Sequence, residues 1–207
     1  HTLGVAGGYT QKDVQELARV LTGLGVRFGD AEQPPLEPAL QPLYWRQGAV
    51  EFHPGRHDMG EKRLLGVRIQ AGQGWDEILA QLGRLARHPA TAHHISMRLA
   101  QYLGEDQPAL ALVERMAAAF TASDGSIALT LQTLFDAPEL PATLGRKFKD
   151  PMHYLVSAVR MLHDGQDLAD TPALLRALSR MGQGLYNRQT PDGYPLDAAA
   201  WSRSGQM

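Results

Sequence analysis

His57-Asp58 is the adjacent pair with the most obvious chemical use in this 207-residue chain. An imidazole beside a carboxylate offers two ligands to a divalent metal, or a general base with its orienting partner. Metal-dependent phosphohydrolases that use such a pair carry it on a helix and draw further His and Asp ligands from neighbouring helices. Here the pair sits between Pro54-Gly55 and Met59-Gly60, which are loop signals. The architectural alternative has His57 and Asp58 bonding the loop backbone and pinning it to the rest of the chain. It carries more weight, because local side-chain to backbone bonding is common in such turns.

Other constellations are less complete. Arg146, Lys147 and Lys149 cluster before Asp150-Pro151, where a helix start with nearby cations suits phosphate, sulfate or uronate. The plainer reading is a solvated loop whose cations pair with Asp136 or Glu139. Tyr186, Tyr194 and Trp201 flank the turn Thr190-Pro191-Asp192-Gly193-Tyr194-Pro195, and either stack on a sugar ring or clamp the turn. His88, before Pro89, reads as a capping or buried hydrogen-bonding residue, and His163-Asp164 closes a helix where the dipole favours a cation. His93 and His94 are about 100° apart on a helix and cannot share one metal undistorted. His1 is a further imidazole that folding could bring near His57. The chain has no P-loop or dinucleotide glycine motif, no Gly-x-Ser-x-Gly elbow and no His-Glu-x-x-His helix, which disfavours a standard hydrolase or nucleotide enzyme.

Helices are the elements that must hold these residues. Thr10 and Asp13 have the spacing of a capping box, and Val14, Leu17, Ala18 and Leu21 are expected to line a first helix ended by Gly23 or Gly25. Residues 26–74, with Pro34, Pro35, Pro38 and Pro42, read as a loop-rich insertion. Within it, Val50–His53 and Leu64–Ile69 are candidate strands of one small hairpin around His57-Asp58. From Trp75 to Phe135 apolar residues recur at helical spacing: Ile78, Leu79, Leu82 and Leu85; then Ala92, Ile95, Leu99 and Tyr102, ended by a left-handed Gly104. Leu112, Val113, Met116, Ala117 and Phe120 follow. Ser123-Asp124-Gly125 then caps a helix with Ile127, Leu131, Leu134 and Phe135. Asp76 and Glu77 complement the dipole at one helix start. Asp150-Pro151 and Thr171-Pro172 open two more helices, lined by Leu155, Val156, Val159 and Leu162, and by Leu174, Leu175, Leu178 and Met181; Leu196–Trp201 is a last short one. The predicted fold is mainly α: a multi-helix bundle of about seven helices in a single domain, with an irregular or hairpin-bearing insertion at 26–74.

Composition narrows the partners. A formal charge of -2 offers no basic footprint for nucleic acid, and no apolar run approaches the roughly 20 residues that span a bilayer. Without cysteine there is no disulfide, thiolate metal site or thiol nucleophile. The chain begins at His1 rather than Met and stops at Ser204-Gly205-Gln206-Met207 without a closing element, as expected of a fragment of a longer protein.

Several ordered phrases point to one family. They include His1-Thr2-Leu3-Gly4-Val5, Gly8-Tyr9-Thr10, Ala18-Arg19-Val20-Leu21-Thr22-Gly23, and His57-Asp58 followed by Lys62 and Leu64-Leu65-Gly66. His88-Pro89-Ala90-Thr91-Ala92, Lys147-Phe148-Lys149-Asp150-Pro151 and Gly182-Gln183-Gly184-Leu185-Tyr186 continue the series. Over nearly its whole length the chain resembles the bacterial domain of unknown function 1800 family. The resemblance implies the C-terminal part of a larger exported protein, periplasmic or extracellular, with the N-terminal part as a partner. It supplies no activity.

Two functions remain open. One is a non-enzymatic binding or scaffold module at the cell envelope that engages a protein partner or an anionic polymer. The other is a metal-assisted hydrolase whose site, around His57, Asp58, Lys62 and His88, is completed by the N-terminal part. No cofactor is identified beyond that candidate divalent metal.

Overall fold

A computed structural model of the protein describes residues 2–29, 33–168, 170–190 and 192–202. Among the described residues, helices with their 3-10 turns make up 49% and strands are confined to two small antiparallel sheets, so the fold is mainly α as expected. The chain forms two compact units that divide between His88 and Pro89.

The first unit begins with α1 (Gln11–Val20). Its capping box is complete: the Thr10 hydroxyl accepts from the Asp13 N–H at 3.2 Å, and the Asp13 carboxylate accepts from the Thr10 N–H at 2.8 Å. The helix ends at Val20 with Leu21 as its C-cap, and Gly23, whose φ is +81°, lies in the turn that follows. The expected apolar stripe is displaced, since Val14 is 44% exposed and Ala18 is also exposed, whereas Val20 is fully buried. The cause is that α1 turns carboxylates toward the β strands. Asp13 accepts the Leu65 N–H at 2.7 Å and Glu16 the Arg63 N–H at 2.8 Å, which sets the rotation of the helix.

The described residues of 24–69 hold five strands rather than one hairpin. β1 (Leu24–Val26), β2 (Trp45–Gln47) and β3 (Val50–Phe52) form a sheet of order β1-β3-β2, with Phe52 opposite both Leu24 and Trp45. β4 (Lys62–Leu64) and β5 (Val67–Ile69) pair with each other. The two segments expected to pair therefore do not. Leu65-Gly66 interrupts the second one, with φ of +48° and +77°, the double left-handed turn whose twist matches a two-residue hairpin.

α2 (Trp75–Ala86) belongs to this unit. It keeps Ile78 and Leu85 buried as expected, but exposes Leu79 and Leu82 and buries Glu77 and Gln81 instead. The core gathers Val20, Phe52, Leu64, Ile69 and Ile78 under Trp45 and Trp75, whose rings stack at 4.2 Å.

In the second unit α3 (Pro89–Leu103) packs on α4 (Leu110–Ala122), and α4 on α5 (Ile127–Phe135). Ala100, Leu112, Val113, Met116, Leu134 and Ala137 make its core, and the expected face of α4 is the buried one. Gly104 is not left-handed. It is small because an added Cβ would lie 2.9 Å from the Ala100 carbonyl oxygen. Ser126, not Ser123, caps α5, accepting the Leu129 N–H at 3.3 Å, while Ile127 and Phe135 face outward.

α6 (Pro151–His163) starts at Asp150 as predicted, and α7 (Thr171–Arg180) starts at Asp170, one residue before the expected Thr171. No residue of α6 is fully buried, and Val156 and Leu162 are exposed, because α6 borders open grooves beside its contact with α7. Leu178 is buried and Leu175 exposed on α7. α8 (Ala198–Trp201) is the short last helix, capped by Asp197.

Candidate functional site

His57 follows a short 3-10 turn, Pro54–Arg56, that brings its ring under Phe52 with centroids 5.2 Å apart. Its Nδ1 lies 2.7 Å from the Thr22 carbonyl oxygen. Since a carbonyl only accepts, Nδ1 carries a proton and donates it there. Nε2 faces Glu77 Oε2 at 3.8 Å, and Glu77 Oε1 lies 2.8 Å from Lys62 Nζ in an ion pair outside hydrogen-bond geometry. The ammonium donates to the Asp58 carbonyl and, at 3.1 Å, to the Gly60 carbonyl. The side chains of His57, Lys62 and Glu77 have 0% exposure.

Asp58 points elsewhere. Its carboxylate accepts from Arg19 Nε at 2.7 Å and from the Gly60 N–H at 2.9 Å, and its own N–H donates to Thr22 Oγ1 at 2.8 Å. Arg19 also donates to Glu16 at 3.0 Å and to the Glu61 carbonyl at 3.2 Å. The Arg19 hydrogen bond, with that of Gly60, holds the Asp58 carboxyl at about 2, and Asp58 and Glu16 in turn push the Arg19 guanidinium up. Gly23 permits the close approach of α1 and this loop: a Cβ there would meet the His53 carbonyl oxygen at 2.9 Å and the His57 Cβ at 3.1 Å.

The loop is thus clamped by an inner layer, His57–Glu77–Lys62, and an outer one, Asp58–Arg19–Glu16. These residues do not fit a divalent metal. The carboxylates already face an ammonium and a guanidinium, His57 and Asp58 diverge, and no three His, Asp or Glu side chains gather as ligands among the described residues. Of the residues singled out in the sequence, His57, Asp58 and Lys62 come together. His88 follows the end of α2, roughly 16 Å along the axis from Glu77 at 1.5 Å per residue. His1 lies outside the described residues.

Sequence reasoning missed Glu77, Arg19 and Thr22. Glu77 looks like an acid placed for the dipole of α2. The available signal was Lys62, which shares the inward face of β4 with Leu64 and so requires a buried counter-charge.

The basic run of the second unit is dispersed. Lys147 pairs with Asp106, not with Asp136 or Glu139, and Asp106 also accepts the Ala198 N–H at 2.7 Å. Glu139 is taken by Arg115 at 2.8 Å. Arg146 and Lys149 are exposed. Asp150 Oδ1 receives both the His153 N–H and His153 Nδ1 at 2.8 Å, and His153 Nε2 lies 3.0 Å from the Tyr102 hydroxyl. Among the aromatics, Tyr194 donates to the Gly184 carbonyl at 2.8 Å and Trp201 Nε1 to the Pro195 carbonyl at 2.9 Å, clamping their turn, while Tyr186 is fully exposed.

A family model described as protein of unknown function (DUF1800) matches residues 1–207. The chain belongs to this family. Comparison with curated proteins and with solved structures finds no match. For this DUF1800 chain the chemistry must therefore be argued from its own geometry. Among its described residues, no helix is long and apolar enough to cross a membrane.

Proposed function

We propose that the chain is a non-enzymatic binding or scaffold module at the envelope of a bacterial cell, part of an exported protein that engages a protein partner or an anionic polymer. One observation carries this: the side chains best suited to catalysis, His57, Lys62 and Glu77, are sealed from solvent and face one another. A general base must come within about 2.6–3.2 Å of the proton it takes, directly or through one water. The His57 ring has spent Nδ1 on a backbone carbonyl and turns Nε2 to a buried carboxylate. Such a cluster fixes a loop to two helices. The exported location rests on the family resemblance.

The test measures divalent metal content and thermal unfolding of the full-length protein purified without chelator, as wild type and as His57→Ala. The expected result is a melting point lowered by several degrees, at about 2–4 °C per kcal/mol for this size, with metal content unchanged. A stoichiometric metal in the wild type that His57→Ala removes would overturn the proposal in favour of a metal-assisted hydrolase.

A further inference from the structure

Lys149 stands between two troughs of the second unit. The larger, of 410 Å³, is lined by Phe148, Lys149, Tyr154, Arg180, Met181 and Trp201 among others, and contains no carboxylate. The smaller, of 250 Å³, shares Phe148 and Lys149 and adds Tyr102, His153 and Ser157. Neither Lys149 nor Arg180 is paired with an acid among the described residues, whereas Lys147 and Arg188 are. Trp201 is braced from behind: Nε1 donates to the Pro195 carbonyl and the Tyr194 ring lies 6.1 Å away. Its polar atom is thereby used within the protein and its orientation set before any ligand arrives.

We propose that the larger trough binds an acidic carbohydrate, a uronate- or sulfate-bearing oligosaccharide. Its sugar rings lay their C–H faces on Trp201 and Tyr154, and Lys149 and Arg180 take the acid groups. The electron-rich face of an aromatic ring attracts the slightly positive C–H face of a sugar, and a guanidinium pairs with planar carboxylate or sulfate oxygens. The volume lies within the usual range of small-ligand sites, about 300–1,000 Å³. Inorganic phosphate would leave the aromatic walls without a partner. A nucleic acid needs a row of phosphate contacts, and a trough with two free cations in a chain of formal charge -2 does not provide one. The inference rests on the chain being a binding module and names the ligand class.

The test titrates the full chain calorimetrically with a galacturonic acid tetramer and, separately, a sulfated heparin tetrasaccharide, beside neutral maltotetraose, inorganic phosphate and an oligothymidylate. The expected result is saturable binding of one of the two acidic tetrasaccharides, which distinguishes carboxylate from sulfate. That binding should weaken at least tenfold in Arg180→Gln, Lys149→Gln and Trp201→Ala and stay unchanged in His57→Ala. Arg180 and Lys149 are exposed, so their variants keep the fold even if Trp201→Ala does not. The proposal is overturned if neither acidic sugar binds, if Arg180→Gln and Lys149→Gln leave binding intact, or if phosphate or the oligonucleotide binds more tightly. Failure here, with no metal in the His57 test, leaves the scaffold reading standing and removes only this ligand.

Discussion

Replacing Glu77 by Gln leaves the Lys62 ammonium buried without its counter-charge. The two groups meet at 2.8 Å with both side chains at 0% exposure, so solvent cannot take over the charge. Breaking one partner of a buried ion pair costs about 3–5 kcal/mol. The Asp58 and Gly60 carbonyls still accept from the ammonium, which places the expected loss near the lower end, about 3 kcal/mol. That is a large part of the roughly 5–15 kcal/mol that holds a typical domain together. The assay is urea unfolding followed by tryptophan fluorescence in a Trp201→Phe background, where the stacked Trp45 and Trp75 report on the core above Glu77. Lys62→Met should cost at least as much, because it strands the carboxylate and frees both carbonyls. The double variant Lys62→Met/Glu77→Leu should cost no more than either single one, since an apolar pair carries no desolvation penalty. A loss below about 1 kcal/mol in Glu77→Gln, or additive losses in the double variant, would refute the claim that this pair is a coupled buried clamp.

Acid should act through Asp58. Its folded carboxyl is held at about 2 against an ordinary 3.8, so as pH falls the unfolded chain takes up the proton first, and the stability the group contributes is present above the ordinary value and lost toward pH 2. Asp58→Asn should therefore flatten the fall of the urea midpoint between those limits, and an unchanged slope would count against the Arg19–Asp58 assignment. Gly23→Ala and Gly66→Ala both place a side chain at positive φ, at about 1–2 kcal/mol each, but only Gly23 also meets backbone and His57. Gly23→Ala should be the worse by at least about 1 kcal/mol in urea unfolding, and equal losses would contradict the close approach. Lys147→Met should speed amide exchange across residues 198–201 by about tenfold or more, because Asp106 then anchors that segment without its cation; unchanged exchange measured by mass spectrometry would deny Lys147 that role.

Sealing the polar cluster has a consequence for how substitutions in the loop are read. Asp58, Lys62 and Glu77 act through one another, so loss of function in any of them is expected to track loss of the folded loop, and activity measurements need a stability control. Arg180 and Lys149 are exposed and unpaired among the described residues, which makes them the better probes of binding.

Local chemistry made much of the fold legible. Thr10 with Asp13 and Asp150 with Pro151 start helices because a side-chain acceptor and a proline meet needs confined to the first turn. The α4 face was readable because its buried residues, Leu112, Val113, Met116 and Phe120, are all apolar and recur at helical spacing. Family membership and the gathering of His57, Asp58 and Lys62 in one loop region were also within reach of the sequence. Tertiary structure decided the rest. Whether Glu77 serves a dipole or a buried lysine depends on a strand thirteen or more residues away, and helical periodicity cannot see across that gap. Lys147 found Asp106 rather than Glu139 for the same reason, and Asp13 and Glu16 rotated α1 away from its apolar stripe by bonding a hairpin that lies about fifty residues on. Sequence spacing specifies which residues share a face; only packing specifies which face turns inward, because that choice is made by partners distant along the chain.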